Sequence, residues 1–410
     1  MQPDGKILIG GYFTSLGGLP PAYLGRLNPD GSADITFTPR ANGQIFALAG
    51  CPDGTTLVSG GFESLGGPKS VFWLGRLNPS GTSDNGFGPQ IDDLLSLYLP
   101  AALLAVQQDG KILARSAWGN LRGYGERFGR LNSDGTLDSE FIPGIDGLVS
   151  SLMVQADGKI IVSGEFTRPR ANIARLNTDG TLDTFFSSVA VGGTLALQAN
   201  GSILVGRQRL NTDGNLDPWF NPRATVRAIQ ADGRILAFDN ESLVRLNNSE
   251  PAMQSLSLYG KTITWLRGGS SPGVWRTTFE ASADDGSWIY LGAGQLTPGG
   301  WQLANSSVAK GATIRARGYL AGGGKDEGIV ESQLRLFPQI ITTDGVFGIR
   351  SNRFGFNVTG LPNEVIVLES STNLLQWFSL QTNTLGSGPI YFSDTDWGQR
   401  PQRFYRTRLL

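Results

Sequence analysis

Apolar and polar residues alternate in short runs along most of the chain, and tight-turn residues separate the runs. In SLMVQADGKIIVSGEF (151–166), an Asp-Gly pair lies between two apolar runs. Such a pair is the strongest short-range signal of a β-hairpin, because both central residues of a two-residue turn need positive φ. We therefore predict a hairpin here, and the same pattern recurs around Asp4, Asp53, Asp109, Asn200 and Asp232.

An Arg-Leu-Asn step follows each predicted hairpin, beginning at Arg26, Arg76, Arg130, Arg175, Arg209 and Arg245. After the first five steps comes a turn such as NTDGTLD, which an aromatic residue closes. Three or four short strands per repeat are typical of a β-propeller blade. We predict an all-β fold with a propeller of about six blades over residues 1–250. A β-solenoid would have shorter and more even periods, and a sandwich would not repeat six times.

The stretch RLNTDGTLDTFF (175–186) has two interpretations. Asn177, Asp179 and Asp183 have a spacing that superficially suits calcium, but a calcium loop needs further oxygen ligands and usually a bidentate Glu. The simpler interpretation is a turn at Asp179, with Asp183 accepting backbone N–H bonds as an Asx-type cap. We predict the turn, and no metal site.

The repeats stop near Pro251, and the density of Trp rises beyond it. Alternating apolar runs parted by Gly, Pro and Asp turns predict one small β-sandwich over 251–337 and a second over 338–410. The strand SLSLYG (255–260) has two interpretations: it completes the first blade, which lacks its own leading strand, or it begins the first sandwich.

Composition narrows the chemistry. The chain has no His and a single Cys, which excludes the usual Ser-His-Asp and Cys-His sites, His-ligated metals and an internal disulfide. A formal net charge of -1 offers no broad field for phosphate backbones, so we expect no nucleic acid partner. No apolar run is long enough to span a membrane. We expect a monomer without cofactors. The opening MQPDGKILIGG is not a signal peptide and resembles the middle of a repeat, which predicts a chain truncated at its N-terminus.

The motifs GGYFTSLGG, ARLNTDGTLDTFF and VQADGKIIVSGEF resemble the bacterial delta-60 repeats over roughly residues 1–250. This resemblance implies β-propellers in large secreted or cell-surface proteins, but it brings no catalytic or binding motif. EVIVLESSTNLLQWFSLQTN is similar to the immunoglobulin- or fibronectin-type modules that follow such repeats in surface proteins of the verrucomicrobial group. The resemblance therefore implies an extracellular or cell-surface location.

Candidate ligand-binding residues lie where the repeat pattern is broken. The stretches 88–105 and 116–129 depart from the other repeats, and such departures are where functional sites are expected. We predict that Asp92, Asp93, Trp118 and Tyr124 line one mouth of the propeller channel, unless these are ordinary variable loops. A glycosidase needs two carboxylates close together. If the protein is an enzyme, the candidate catalytic carboxylates, chosen by their location, are Asp92, Asp93, Glu126 and Glu165.

Three tryptophans allow another binding surface. Trp275, Trp288 and Trp301 suit a sugar-stacking platform, but alternation within strands more often places such residues in a sandwich core or in cross-strand pairs.

Three functions stay open from the sequence. The favoured hypothesis is a non-catalytic extracellular binding or adhesion protein, with the propeller presenting loops to a polysaccharide or a surface protein. The first alternative is a carbohydrate-active enzyme, a hydrolase or lyase, that uses a carboxylate pair at the channel mouth. The second is a structural segment of a longer surface protein. The fold class alone does not choose among these three functions.

Overall fold

The computed structural model shows an all-β protein. It describes residues 2, 6–13, 15–16, 23–51, 53–66, 73–89, 101–116, 128–239, 242–248, 250–283, 287–309, 311–320, 328–361, 363–386, 388–399 and 402–410, and the side chains of 101–104 are not described. Across these ranges there is no α-helix, and a single 3-10 turn spans Trp397–Gln399. No helix in the described residues is long and apolar enough to cross a membrane.

The first part of the chain folds into six repeat units, each a small antiparallel sheet. Within the described residues, unit 1 has two strands and each later unit has three strands in sequence order. The strands are β1 (Ile7–Gly10) and β2 (Leu24–Leu27); β3 (Ile45–Gly50), β4 (Thr56–Gly60) and β5 (Leu74–Leu77); β6 (Ala101–Val106), β7 (Ile112–Ser116) and β8 (Phe128–Leu131); β9 (Leu148–Val154), β10 (Ile160–Glu165) and β11 (Ile173–Leu176); β12 (Leu195–Leu197), β13 (Ile203–Val205) and β14 (Gln208–Leu210); β15 (Thr225–Ile229), β16 (Ile235–Asp239) and β17 (Ser242–Leu246).

The units follow one another in a row. First strands are neighbours, with β3 against β6, β6 against β9, β9 against β12 and β12 against β15. The middle strands β4 and β10 are buried over almost their whole length, and apolar side chains pack on both of their faces. Among the described strands, none pairs unit 6 with unit 1. The array of units is therefore not closed by a shared sheet.

Five of the six predicted hairpins form in the structure, and the sixth, at Asp4, lies outside the described residues. The turn type differs from the prediction. Only the glycine has positive φ, as at Gly158 (φ 83). Gly158 N donates to Gln155 O at 2.9 Å, and Gln155 N donates to Lys159 O at 2.8 Å. This is a three-residue loop in which a left-handed glycine follows an ordinary turn. Asp157 contributes by capping: its Oδ1 accepts the Lys159 N–H at 3.1 Å.

Two four-stranded sheets follow the array. Sheet S1 has the strand order β18-β19-β23-β22, and sheet S2 has the order β21-β20-β24-β25. Trp265 and Trp301 of S1 share one apolar cluster with Phe279, Ile314 and Ala316 of S2. The strands are β18 (Ala252–Tyr259), β19 (Thr262–Gly269), β20 (Val274–Ser282), β21 (Ile289–Ala293), β22 (Gln295–Thr297), β23 (Gly300–Leu303), β24 (Thr313–Leu320) and β25 (Ile329–Arg335).

The strand at 255–260 belongs to S1. Strand β18 pairs with β19 along its full length, from Ala252↔Gly269 to Tyr259↔Thr262. The interpretation in which this segment completes the first blade is therefore wrong. The alternating apolar residues of β18, Leu256 and Leu258, pack instead against the cluster that S1 and S2 share.

The last part of the chain forms two further sheets around an aromatic core. Sheet S3 has the order β26-β28-β27 with β31 beside β28, and sheet S4 has the order β30-β29-β32. Phe356 and Phe392 of S3 pack with Ile366 and Leu368 of S4. The strands are β26 (Gln339–Ile341), β27 (Gly348–Arg350), β28 (Arg353–Thr359), β29 (Val365–Ser371), β30 (Phe378–Thr384), β31 (Ile390–Asp394) and β32 (Phe404–Leu409).

The loop before β20 attaches S2 to the array. Gly273 N donates to Leu197 O at 2.6 Å, and Ala199 N donates to Ser271 O at 2.7 Å. Gln108 Nε2, in the hairpin turn of unit 3, donates to Trp275 O at 2.8 Å. The hairpin turns of the array therefore face S2.

Candidate functional site

Each of the first five units contains an ionic cluster on its Arg-Leu-Asn step, which is buried in units 1, 3 and 4 and partly buried in units 2 and 5. In unit 4, Arg175 Nε donates to Asp183 Oδ2 at 2.7 Å, and the guanidinium lies 4.8 Å from the ring centre of Phe186. Lys159 Nζ reaches the same carboxylate oxygen at 2.8 Å. The equivalent triads are Arg26–Asp34–Phe37, Arg76–Asp84–Phe87, Arg130–Asp138–Phe141 and Arg209–Asp217–Phe220. We call each triad a clamp.

The clamp arginine also reaches into the next unit. Arg26 Nη1 donates to Pro79 O at 2.6 Å, and Arg175 Nη1 donates to Thr212 O at 2.6 Å. Each acceptor follows the Asn of the next Arg-Leu-Asn step. Unit 6 lacks the Asp-Gly turn after Arg245, and there Arg209 Nη1 donates to the side-chain Oδ1 of Asn248 at 3.1 Å. The clamp arginine thus contacts the turn and the aromatic residue of its own unit and also binds to the next unit.

The partners of Asp179 and Asp183 distinguish between the two interpretations of the stretch 175–186. Asp183 Oδ1 accepts the Phe185 N–H at 3.0 Å, which confirms the predicted Asx-type cap, while Oδ2 holds Arg175 and Lys159. Burial alone would raise the pKa of Asp183, but the bonds from Lys159 and Arg175 lower it to about 2. Asp179 Oδ1 accepts the Thr181 N–H at 2.9 Å, as a turn residue does. Both carboxylates have structural partners.

A large cavity lies between units 1 and 2 and sheet S2. Its volume is about 1360 Å³, and its array wall consists of β1, β3 and the hairpin turn at 53–56. Clefts for small molecules usually measure roughly 300–1,000 Å³. The cavity therefore has room for more than a single small molecule.

The S2 wall of the cavity is an ordered set of charges. Glu280 lies opposite Arg315 on the neighbouring strand, and Thr278 lies opposite Arg317. Arg315 Nε donates to Glu280 Oε2 at 2.8 Å, and Arg317 Nη1 is 3.4 Å from Glu280 Oε1. All three charged side chains are almost completely buried. In an ordinary two-sheet stack this outer face would meet water, whereas here the array covers it.

Arg276 and two hydroxyl groups on this wall lack an ionic or hydrogen-bonding partner. The Arg276 guanidinium lies 3.8 Å from the ring centre of Tyr319, and it forms no ion pair with a described residue. The hydroxyl oxygens of Thr278 and Tyr319 make no hydrogen bond within the described part of the chain. Buried polar groups are normally paired, so a polar ligand group or water here would recover free energy.

The array wall of the cavity includes the open edge of unit 1. The middle strands β4 and β10 are buried, whereas the equivalent strand β1 is partly exposed, with Ile7 at 37%. Residues 7 to 10 all line the cavity, together with residues 45 to 48 of β3.

The predicted ligand-binding residues Asp92, Asp93, Trp118 and Tyr124, and the candidate carboxylate Glu126, lie outside the described residues. Glu165 is described: it is exposed at the end of β10 and does not line the cavity.

The three tryptophans do not form one platform. Trp301 is buried opposite Trp265 in the core of S1 and S2, which confirms the core interpretation for this residue. Trp275 is buried against Ile203 and Leu210 of unit 5. Trp275 and Trp288 both line the cavity, but of these two only Trp288 is partly exposed, and Arg315 lies 3.8 Å from its ring centre.

Comparison with known proteins adds a family likeness for part of the array. A family model described as "Domain of unknown function (DUF5122) beta-propeller" matches residues 2–37 and 155–186. These segments cover unit 1 and, in unit 4, the hairpin turn, strands β10 and β11 and the clamp. No curated protein matches.

Two solved structures show a remote likeness. One is described as a tetra-tandem repeat in the extending region of a large adhesion protein, with 10% identity, a TM-score of 0.18 and coverage of 100% of this chain and 92% of that chain. The other is E. coli alpha-2-macroglobulin, with 12% identity, a TM-score of 0.14 and coverage of 99% and 29%. At these TM-scores neither likeness bears on fold or function.

Proposed function

We propose that this chain is a non-catalytic binding protein of the cell surface or extracellular space, in which a propeller-type array of about six blades over 1–250 precedes two small sandwich domains over 251–337 and 338–410. Its ligand, a glycan or a protein segment, enters the cavity between units 1 and 2 and S2. The observation that carries this proposal is the cavity itself, whose walls come from two separate parts of the fold. The beta-propeller family match and the resemblance to surface-protein repeats support it.

The carboxylates near the cavity favour binding over hydrolysis. A carboxylate-pair mechanism needs one carboxyl as acid and another as base or nucleophile. Glu280 and Glu331 are held in ion pairs with arginines, and Asp53 Oδ1 accepts the Thr55 N–H at 2.9 Å in a turn. The described cavity walls therefore offer an unpaired cation, Arg276, rather than a pair of free carboxyl groups.

A screen of purified protein against polysaccharides and surface-protein extracts, for both binding and turnover, tests the proposal. We expect a binder without turnover, and we expect Arg276→Ala to weaken it. The control is Arg353→Ala, the same change on an exposed residue outside the cavity. Equal binding by both variants would move the site elsewhere.

A second arm of the screen tests the broken repeats. Asp92→Ala, Asp93→Ala, Trp118→Ala and Tyr124→Ala report on the stretches that the sequence singles out. Loss of binding in these variants alone would place the site at those loops, and turnover that depends on Asp92, Asp93, Glu126 or Glu165 would establish the enzymatic alternative.

A further inference from the structure

The residue two positions after each clamp aspartate is held in the same way in the first five units. Its backbone N–H donates to Oδ1 of the aspartate, at 3.0 Å for Phe185 in unit 4 and at 2.9 Å for Trp219 in unit 5. We call this the cap position. The residues at the cap position of units 1, 2 and 3 are Thr36, Gly86 and Glu140. Because the cap fixes the main chain, the side chain at this position has a defined place on the surface of its unit.

Units 4 and 5 differ from the other three because both have an aromatic side chain at the cap position. Phe185 is 88% exposed and Trp219 is 92% exposed. Neither ring serves the clamp, since the clamp aromatic is the next residue in each unit, Phe186 or Phe220. Phe185 and Trp219 therefore hold apolar ring faces in water, and a ligand that covered them would recover free energy. Such departures from a repeat are where functional sites are expected.

The turn of unit 5 also departs from the repeat. In unit 4, Asp179 Oδ1 accepts the backbone N–H of Thr181 at 2.9 Å and its hydroxyl at 2.7 Å. Unit 5 has Asn215 in place of the threonine, and Asn211 Oδ1 takes over the turn by accepting the N–H groups of Asp213 and Asn215. Within the described residues, the Asp213 carboxylate and the Asn215 amide group have no hydrogen-bonding partner, and both side chains are exposed.

These polar side chains lie where unit 5 meets unit 4. Ser187 N, two residues beyond Phe185, donates to Asp213 O at 2.9 Å. The turn that contains Asp213 and Asn215 then leads to Trp219. The surface of the two units therefore has one exposed ring from each unit and, at the joint between the units, a carboxylate and an amide without partners.

We propose that this surface of units 4 and 5 binds a neutral polysaccharide. Phe185 and Trp219 stack on sugar rings of one chain, because the C–H faces of a sugar are apolar and pack well on an aromatic face. Asp213 and Asn215 bond to hydroxyl groups of the sugars between them, since a carboxylate accepts and an amide both donates and accepts. A polymer of similar sugars suits a surface whose contacts repeat from one unit to the next. This site is separate from the cavity and goes beyond the proposed function.

The free carboxylate selects a neutral sugar chain over other partners. An acidic polysaccharide would bring negative charge next to Asp213, which raises the free energy of the complex. A protein surface that covered both rings would also bury Asp213, and a buried carboxylate needs a cation or several donors of matching geometry. Sugar hydroxyl groups supply such donors and leave room for bridging water.

The test uses the full chain with starch, cellulose and mannan as neutral polysaccharides and with alginate as an acidic one. We expect binding to at least one neutral polysaccharide and none to alginate. Phe185→Ala and Trp219→Ala should each weaken this binding about tenfold, because each removes one stacked ring. The matched control is Tyr259→Ala, which truncates an aromatic residue that is 91% exposed in S1, outside the array.

A gain of binding tests the repeated arrangement. Glu140→Trp places a third ring at the cap position of unit 3, next to unit 4. We expect this variant to bind the same polysaccharide roughly threefold more tightly or better, because the third contact is made within an already bound chain. Its affinity for the corresponding disaccharide, which is too short to reach two units, should stay unchanged.

The inference is overturned if no neutral polysaccharide binds, if alginate binds as well as they do, or if Phe185→Ala and Trp219→Ala bind as the parent chain does. It is also overturned if Tyr259→Ala weakens binding equally, or if Glu140→Trp brings no gain. Arg276→Ala separates this site from the cavity. Binding that needs Arg276 but neither ring overturns the inference and supports the proposed function, and binding that needs the rings but not Arg276 does the reverse.

Discussion

The clamps of the array and the Glu280 cluster of S2 both pair charged side chains that are largely removed from water, but they do so in two ways. Each clamp is local, because Asp183 follows Arg175 by eight residues and the carboxylate completes a turn. Glu280 meets Arg315 across 35 residues and only after two strands have paired. The clamp repeats in the first five units, whereas the S2 cluster occurs once among the described residues and borders the cavity. Ion pairs between residues close in sequence thus stabilise the units of the array, whereas ion pairs between distant residues form the S2 wall of the candidate site.

The largest expected effect is on the S2 cluster. Glu280→Gln leaves Arg315 and Arg317 buried without their shared anion, and we expect a loss of about 4 kcal/mol in the free energy of unfolding. Chemical denaturation measures this loss. Glu165→Gln, the same change at the exposed end of β10, is the control. A loss below 1 kcal/mol for Glu280→Gln would mean that water reaches the two arginines.

We expect the corresponding change in a clamp to lower the free energy of unfolding somewhat less than Glu280→Gln does. Asp183→Asn removes the anion from Arg175, but Lys159 is 32% exposed and is solvated when unpaired. We expect a loss of about 3 kcal/mol. The matched control is Asp179→Asn, the same change in the preceding turn, where an amide also serves as a turn cap. Equal effects of the two variants would show that turn geometry, not the ion pair, stabilises the unit.

Acid should remove the contribution of the clamp. The pKa of Asp183 in the folded protein, about 2, lies below its ordinary value of 3.8. The stabilisation is therefore fully present above about pH 4 and is lost as the pH falls towards 2. We expect the stability difference between the parent protein and Asp183→Asn to shrink over this window. A difference that stays constant from pH 6 to pH 2 would contradict the assignment.

The smallest effect concerns variation among the clamps. Units 1, 3 and 4 add a lysine, and their Asp side chains are 5%, 6% and 3% exposed. Unit 2 has Thr55 at the lysine position, and Asp84 is 21% exposed. We expect Thr55→Lys to stabilise the protein by about 0.5 kcal/mol, since the new pair is partly exposed. The gain should vanish in the Asp84→Asn background, and a gain that persists there would have another origin.

The sequence predicts the array better than it predicts the cavity. Asp-Gly pairs and Arg-Leu-Asn steps mark the hairpins and third strands, because those signals are local and recur. The clamp was also visible as Arg, Asp and Phe at constant spacing, yet the turn alone explained Asp183 and hid its ion pair. The turn type was wrong because Asp157 caps the loop without adopting positive φ.

The cavity depends on contacts that no local pattern carries. Arg276, Glu280 and Arg317 alternate along strands as surface residues would, and nothing in that alternation shows that the array covers them. Their role follows from the docking of the loop at Gly273 onto Leu197, which are 76 positions apart. The sites predicted from the broken repeats, such as Asp92 and Trp118, remain predictions for the same reason. A local pattern does not show which neighbours these side chains pack against, and their role depends on those neighbours.

The link from each clamp arginine to the next unit has a consequence for how such a chain can grow. Units 2 to 4 each carry both a donor, the arginine, and the main-chain acceptor that the preceding arginine uses. The joint is head-to-tail, so it has no built-in limit on the number of copies. Duplicating the DNA for one unit would therefore create a matched new joint at once. Gain or loss of units needs no compensating mutation, provided that the terminal unit keeps an acceptor, as Asn248 does for Arg209.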